Sequence, residues 1–393
     1  MMRMNRVGII GYGISKFGKR TDASMYDLIW EAGSEAIKSS GVDKKDIDYM
    51  VVSNMGIFSS EELAAVVAGE VLGIKNAGLH RVEAACASGS SAIASAYDAI
   101  RSGRSKIAIA VGIEKMSEVE SETAIELIGR AGDFLWEYEF FGLTFPGYYA
   151  LYATAYLNRY GGREEDLALV SVKNHHYAHL NPIAHFNNEI SLEDVMKSRY
   201  IASPLKLYDS SPITDGSAAV VLASEDVAKQ YTDTPVWIDG IGSNLGTANL
   251  SKRSDFLHIE AAREAAAKAY RMAKIDQEKP YKHLDGADVH DCFSIAELMA
   301  YEDLGFAERG KALDMIRNDE TYIGGKIPVN VDGGLISKGH PIGATGVSMA
   351  VEASKQLLRK AENGRQIDVR NGRFLAHNVG GTGHYAYVTI YSI

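Results

Sequence analysis

The sequence predicts a layered α/β protein built from two related halves, with a segment inserted into the first. Three observations carry this. Short runs rich in β-branched and apolar residues alternate with Ala-rich stretches at helical spacing. One succession of such elements recurs later in the chain. And 393 residues are too many for one ordinary core.

In chain order, the strand pattern falls at 7–10, 49–52, 107–111, 218–222, 374–377 and 385–390. Helical spacing falls at 26–39, 61–72, 92–101, 259–273 and 347–360. Alternation of this kind implies buried strands between helical layers. The recurrence is a helix, then a short apolar run opened by acidic residues, then a helix closing on Leu-Gly. It ends at Leu72-Gly73 in the first half and Leu304-Gly305 in the second. Each half then offers a loop of small residues before an Ala-rich helix, at 86–91 and at 339–346. Duplication places these two loops face to face. The halves divide at 1–235 and 236–393, and the stretch from about 117 to 204 interrupts the rhythm with aromatic and histidine clusters. That stretch reads as an inserted loop domain laid over the first half, where substrate-shaping loops commonly sit.

Composition narrows the function. The net charge is −10 and the basic residues are scattered, which argues against a nucleic-acid surface. No apolar run reaches the ~18 residues that a membrane helix needs, and the first residues lack a secretory layout, so a cytoplasmic location is expected. Two cysteines in a chain of this length are no disulfide framework, which raises the question of their reactivity.

Cys86 lies in Ala84-Ala85-Cys86-Ala87-Ser88-Gly89, before a helix. A helix start favours the thiolate, and small neighbours admit an acyl chain, although a cysteine alone is more often a packing residue. His340 stands between glycine and proline in Gly339-His340-Pro341-Ile342-Gly343, which suits a general base or an oxyanion donor. His290-Asp291-Cys292 ends a strand of the second half, where α/β proteins gather ligand groups. The glycines after His377-Asn378 allow backbone amides to face an anion, or simply a tight turn.

Other patterns carry less. No spacing makes a closed zinc site, so no metal is expected. His175, His176, His179 and His185 form a tract in which His175 and His179 share one face, but no carboxylate joins them and packing explains them better. Gly8-Ile9-Ile10-Gly11-Tyr12-Gly13 is followed by a polar, glycine-broken stretch rather than a helix, so it is no dinucleotide loop.

Together these motifs resemble the thiolase superfamily over essentially the whole chain. The opening glycine strand, Ala85-Cys86-Ala87-Ser88-Gly89, Asp215-Gly216-Ser217-Ala218-Ala219 and the Gly-His-Pro-Ile-Gly-Ala-Thr-Gly loop around His340 carry the likeness. The resemblance implies a five-layer αβαβα fold. His290-Asp291-Cys292-Phe293 stands where common thiolases have Asn-Glu-Ala-Phe, and Asn378 stands where they keep a second catalytic cysteine. This is similar to the sterol-carrier-protein type, in which Cys292 takes over the acid/base role.

Carried to this chain, the likeness implies acyl transfer through Cys86, with His340 taking its proton. The Cys86 and Gly380 amides would hold the oxyanion, His290 and His340 an enolate, and Ser211 the pantetheine arm. It implies coenzyme A thioesters as substrates and no permanently bound cofactor. Archaeal chains of this type resemble acetoacetyl-CoA thiolases of the mevalonate route. Those are homodimers or dimers of dimers, and they resemble partners of 3-hydroxy-3-methylglutaryl-CoA synthase and a small OB-fold/zinc-ribbon protein. Decarboxylating β-ketoacyl synthases share a Cys-His-His set but lack the base that Cys292 supplies. A non-catalytic acyl-CoA-binding scaffold is the alternative from another class, and a dinucleotide-dependent reductase a more distant one.

Overall fold

A computed structural model describes residues 6–393. The first half runs β1 (Val7–Ile14), α1 (Met25–Ser40), β2 (Tyr49–Ser53), α2 (Ala64–Leu72), β3 (Gly78–Val82), α3 (Ser88–Arg101) and β4 (Ile107–Lys115). The insertion follows, with α4 (Ser121–Gly129), α5 (Phe145–Tyr160), α6 (Glu164–His179), α7 (Leu192–Lys197) and a small hairpin of β5 (Tyr200–Ala202) and β6 (Leu205–Lys206). Then come β7 (Asp215–Ser224) and α8 (Glu225–Tyr231). The second half runs β8 (Val236–Leu245), α9 (Glu260–Ala273), β9 (Gly286–Asp288), α10 (Ser294–Asp303), α11 (Ala312–Arg317), α12 (Thr345–Leu357), β10 (Arg373–Gly380) and β11 (Tyr385–Ser392).

Nine strands form a sheet in the order β3-β2-β4-β7-β1-β8-β11-β10-β9. Read outward from its middle, each half repeats one pattern. β1 pairs antiparallel with β7, β7 antiparallel with β4, and β4 parallel with β2. In the same way β8 pairs antiparallel with β11, β11 antiparallel with β10, and β10 parallel with β9. Where β3 adds to β2, a single parallel bridge from Ala287 to Val329 adds to β9. The halves join at two residue pairs, Gly8 with Trp237 and Ile9 with Val236.

Helices α1 and α2 cover the outer face of the first half, α9 covers that of the second, and α3 and α12 pack together between the two. This is the five-layer order that the resemblance implies. The opening glycines find their use here. A Cβ at Gly13 would stand 2.7 Å from the Ala36 nitrogen of α1, and one at Gly242 would stand 2.7 Å from the Ala269 nitrogen of α9. Gly-x-Gly in both β1 and β8 lets a helix lie directly on the strand. Those same glycines, with Asp239 and Asn244, hid β8 from a reading based on β-branched runs. β3 was hidden for another reason: it is a half-exposed edge strand.

One expectation is overturned. The insertion does not lie over the first half alone; most of it packs on the second. Tyr149 and Tyr152 donate to the carbonyls of Gly381 (3.2 Å) and Thr382 (2.9 Å). Lys173 of α6 pairs with Glu297 of α10, and Asn174 donates to Asp291 at 2.7 Å. α4 stays with the first half, where Ala124 joins Phe58 and Cys86 in a small apolar cluster, and the Ile183 carbonyl accepts from the Phe17 amide at 2.8 Å. The physical reason is polar: buried hydroxyl, ammonium and amide groups need partners, and the strand ends of the second half supply them.

Candidate active site

The loops before α3 and α12 meet face to face, as duplication predicts. A Cβ at Gly89 would stand 2.6 Å from the Gly346 nitrogen, and one at Gly346 would collide with the Ser90 backbone. Only glycine at both places allows this crossing. Cys86 is thereby set opposite His340.

The Cys86 turn is tight. Ala85 has φ +49°, and the Ser88 hydroxyl donates to the Ala85 carbonyl at 2.6 Å. Cys86, His290 and His340 each offer one ligand atom, and these atoms lie within 4.8 Å of one another. Among the described residues this is the one His/Cys/Asp/Glu group close enough to share a metal ion. The two imidazole rings are 5.2 Å apart and nearly perpendicular, and the Nε2 atom of each is buried without a protein partner. Cys86, Cys292 and His340 line one mostly apolar cavity of about 550 Å³, with Ser211, Phe145, Ile342 and Phe293 among its walls. All four side chains singled out in the sequence are therefore brought together.

Electrostatics correct one expectation. The helix start was expected to favour a Cys86 thiolate. Burial instead pushes the thiol up to about 12, against the hydrogen bonds that its own amide and that of Gly381 offer the sulfur. Burial likewise lifts Cys292 well above the ordinary thiol range, with Cys86 adding to it. His340 is lowered to about 3 by burial and by Lys338, and His290 is driven well below its usual value by burial and its neighbours His340 and His377. The resting centre is two thiols and two neutral imidazoles, so either thiol would need a base in order to act as a nucleophile.

The sulfur's second amide partner, besides its own, is that of Gly381, next to the Gly380 amide expected to help hold an oxyanion. Gly380 instead passes so close to the Ala84 carbonyl that a side chain there would collide with it. The Ser211 amide donates to the Cys292 carbonyl at 3.0 Å, which fixes that wall of the cavity.

Several supporting residues escaped the sequence. Asp291 accepts from the amides of Leu335 and Ile336 and from Asn174, anchoring the His290–Cys292 strand end. Glu114 accepts from Asn54 and from the amides of Met55 and Gly343, tying the His340 loop to the first half. Tyr149 hydrogen-bonds to Cys292 and stacks on Phe293 with centroids 4.6 Å apart. A buried acid at a strand end is a faint signal in sequence, and Tyr149 was hidden within an aromatic run. The histidine tract is packing: His175 and His179 bond the carbonyls of Asn188 and Asn187.

Residues 7–226 match the family described as the thiolase N-terminal domain, and residues 242–393 match the thiolase C-terminal domain-like family. The chain belongs to the thiolase family. It is 42% identical over 391 residues to an acetyl-CoA acetyltransferase of Methanothermobacter thermautotrophicus, covering 99% of this chain and 100% of that one. It is 31% identical to sterol carrier protein 2 of Gallus gallus, covering 99% of this chain and 72% of the other. Among solved structures, an Ltp2–ChsH2(DUF35) aldolase superposes with a TM-score of 0.84 at 23% identity, covering 98% of this chain and 97% of that one. An acetyl-CoA acetyltransferase from Syntrophomonas wolfei gives 0.76 at 20% identity, covering 99% and 100%. These structures share the thiolase fold. As a thiolase, the chain is an acyltransferase. No helix among the described residues of this thiolase is long and apolar enough to cross a membrane.

Proposed function

We propose that this thiolase is an acetyl-CoA C-acetyltransferase that condenses two acetyl-CoA molecules into acetoacetyl-CoA and coenzyme A. The observation that carries the reading is the meeting of both cysteines with His340 on one apolar cavity, with His290 directly behind, its ring atom within 4.8 Å of those of Cys86 and His340. The likeness to the Methanothermobacter enzyme supports the acetyl substrate.

His340 draws its role from Thr345. That hydroxyl donates its one hydrogen to the Pro341 carbonyl at 3.0 Å, so at 2.7 Å it accepts from His340 Nδ1–H. The Nε2 lone pair is left facing the site. As Cys86 sulfur attacks the thioester carbonyl, Nε2 takes its proton, because the resting thiol and imidazole are too far apart in basicity for prior exchange. The amides of Cys86 and Gly381 hold the tetrahedral oxyanion. When the C–S bond breaks, the Cys292 thiol protonates the departing coenzyme A thiolate. Cys292 is now the base. It removes a proton from the methyl of a second acetyl-CoA, and the enolate oxygen accepts from His290 and from protonated His340. Attack on the acetyl-cysteine releases the Cys86 thiolate, which recovers its proton from His340. Every proton returns.

Ser211 would contact the pantetheine arm, and no resident cofactor takes part. The finer placement follows the same reading: a homo-oligomeric cytoplasmic enzyme at the entry to the mevalonate route. It would assemble with 3-hydroxy-3-methylglutaryl-CoA synthase and a small OB-fold/zinc-ribbon protein. The run Phe134, Leu135, Trp136, Phe140 and Phe141, exposed on the insertion, offers apolar surface for such contacts.

Mass spectrometry after acetyl-CoA alone should show one acetyl group on Cys86, and excess acetyl-CoA should yield acetoacetyl-CoA. Cys292→Ser should still acetylate but stall condensation. A requirement for a malonyl thioester, or no adduct at all, would overturn the proposal.

A further inference from the structure

Asn378 is wholly buried near the end of β10, and its side chain touches both parts of the centre. Its amide nitrogen lies 2.9 Å from the Cys86 carbonyl oxygen and 3.2 Å from His290 Nδ1. Its amide oxygen accepts from the Ser90 hydroxyl at 3.0 Å. A peptide carbonyl can only accept, so the nitrogen must be the end that faces Cys86; the flipped amide would press two oxygens together. That nitrogen carries two hydrogens. One goes to the Cys86 carbonyl and the other points at His290 Nδ1, which has to present a lone pair.

We infer that Asn378 is a positioning residue that fixes His290 in its Nε2–H form, so that the ring holds a hydrogen-bond donor ready beside Cys86 and His340. The two histidines are thereby set in opposite states. Thr345 leaves His340 Nε2 as an acceptor, and Asn378 makes His290 Nε2 a donor. Both Nε2 atoms are the buried, unpartnered ones. The Ser90 contact sets the arrangement at the start of α3, so nucleophile, amide and imidazole share one rigid frame. The catalytic consequence rests on the condensation reading: a fixed donor stabilises the enolate without reorganisation.

The test is nuclear magnetic resonance of the full chain with ¹⁵N-labelled histidine. His290 is assigned by the signal lost in His290→Gln. Native His290 should show a protonated Nε2 and a bare Nδ1; a protonated Nδ1 overturns the inference. In Asn378→Asp the near-isosteric carboxylate accepts where the amide donated, so the His290 proton should move to Nδ1 or a second proton should bind. Condensation should fall by on the order of a hundredfold, and at least tenfold more than Cys86 acetylation falls. An unchanged His290 spectrum, or equal losses in both half-reactions, overturns it. If the native enzyme forms no acetyl adduct, the functional reading fails, and the spectrum alone then decides the inference.

Discussion

The two halves repeat one strand pattern and put opposite chemistry at its matching ends. After β2 the first half has Ser53-Asn54-Met55, which only holds: the Ser53 hydroxyl donates to the Gly343 carbonyl at 2.7 Å, and Asn54 and Met55 donate to Glu114. After β9 the second half has His290-Asp291-Cys292, which lines the site. At the helix starts the contrast crosses over, with a thiol before α3 and an imidazole before α12. The frame is thus symmetric, and the four strand and helix ends carry different side chains on it. In the proposed mechanism the first half contributes the nucleophile and a clamp, and the second contributes the proton chemistry.

The largest expected effect separates the two helix-start loops. Cys86→Ala should remove the acetyl adduct by intact mass and lower turnover by on the order of 10⁴ or more, with the fold unchanged. An adduct that survived would mean that the second half carries the nucleophile. Next is the crossing itself. Gly346→Ala forces a Cβ onto the Ser90 backbone and should cost about 3 kcal/mol, read as a lower urea midpoint; an unchanged midpoint would mean the loops are not locked together.

The clamp should show as a pH dependence. Burial raises Glu114 from 4.5 to about 8, Asp291 from 3.8 to about 8 and Asp303 from 3.8 to about 7. The folded chain keeps these protons where the unfolded chain has released them. Their stabilisation is therefore full below the ordinary carboxylate values and is lost as pH climbs towards 8. The urea midpoint should fall between pH 6 and pH 8.5, and Glu114→Gln should flatten that fall; a Glu114→Gln slope equal to the native one would remove Glu114 as a contributor. The smallest effect is Tyr149→Phe. Losing one hydroxyl partner of Cys292 should slow condensation roughly fivefold, worth about 1 kcal/mol, and leave acetylation unchanged. Equal slowing of both steps would make Tyr149 a general support and not a partner of the second half's thiol.

The sequence by itself determined the alternation of layers, the duplication, the two small-residue loops and the identity of Cys86, His290, Cys292 and His340. Those are properties of local pattern and residue type, and they hold whatever lies across space. Tertiary structure alone decided the rest. It placed most of the insertion on the second half, set the Gly381 amide beside the Cys86 sulfur, and turned an expected thiolate into a thiol. Each of these depends on what lies across space. Burial outweighs a helix start, an orphaned hydroxyl seeks a carbonyl hundreds of residues away, and the proton on a histidine follows the amide beside it.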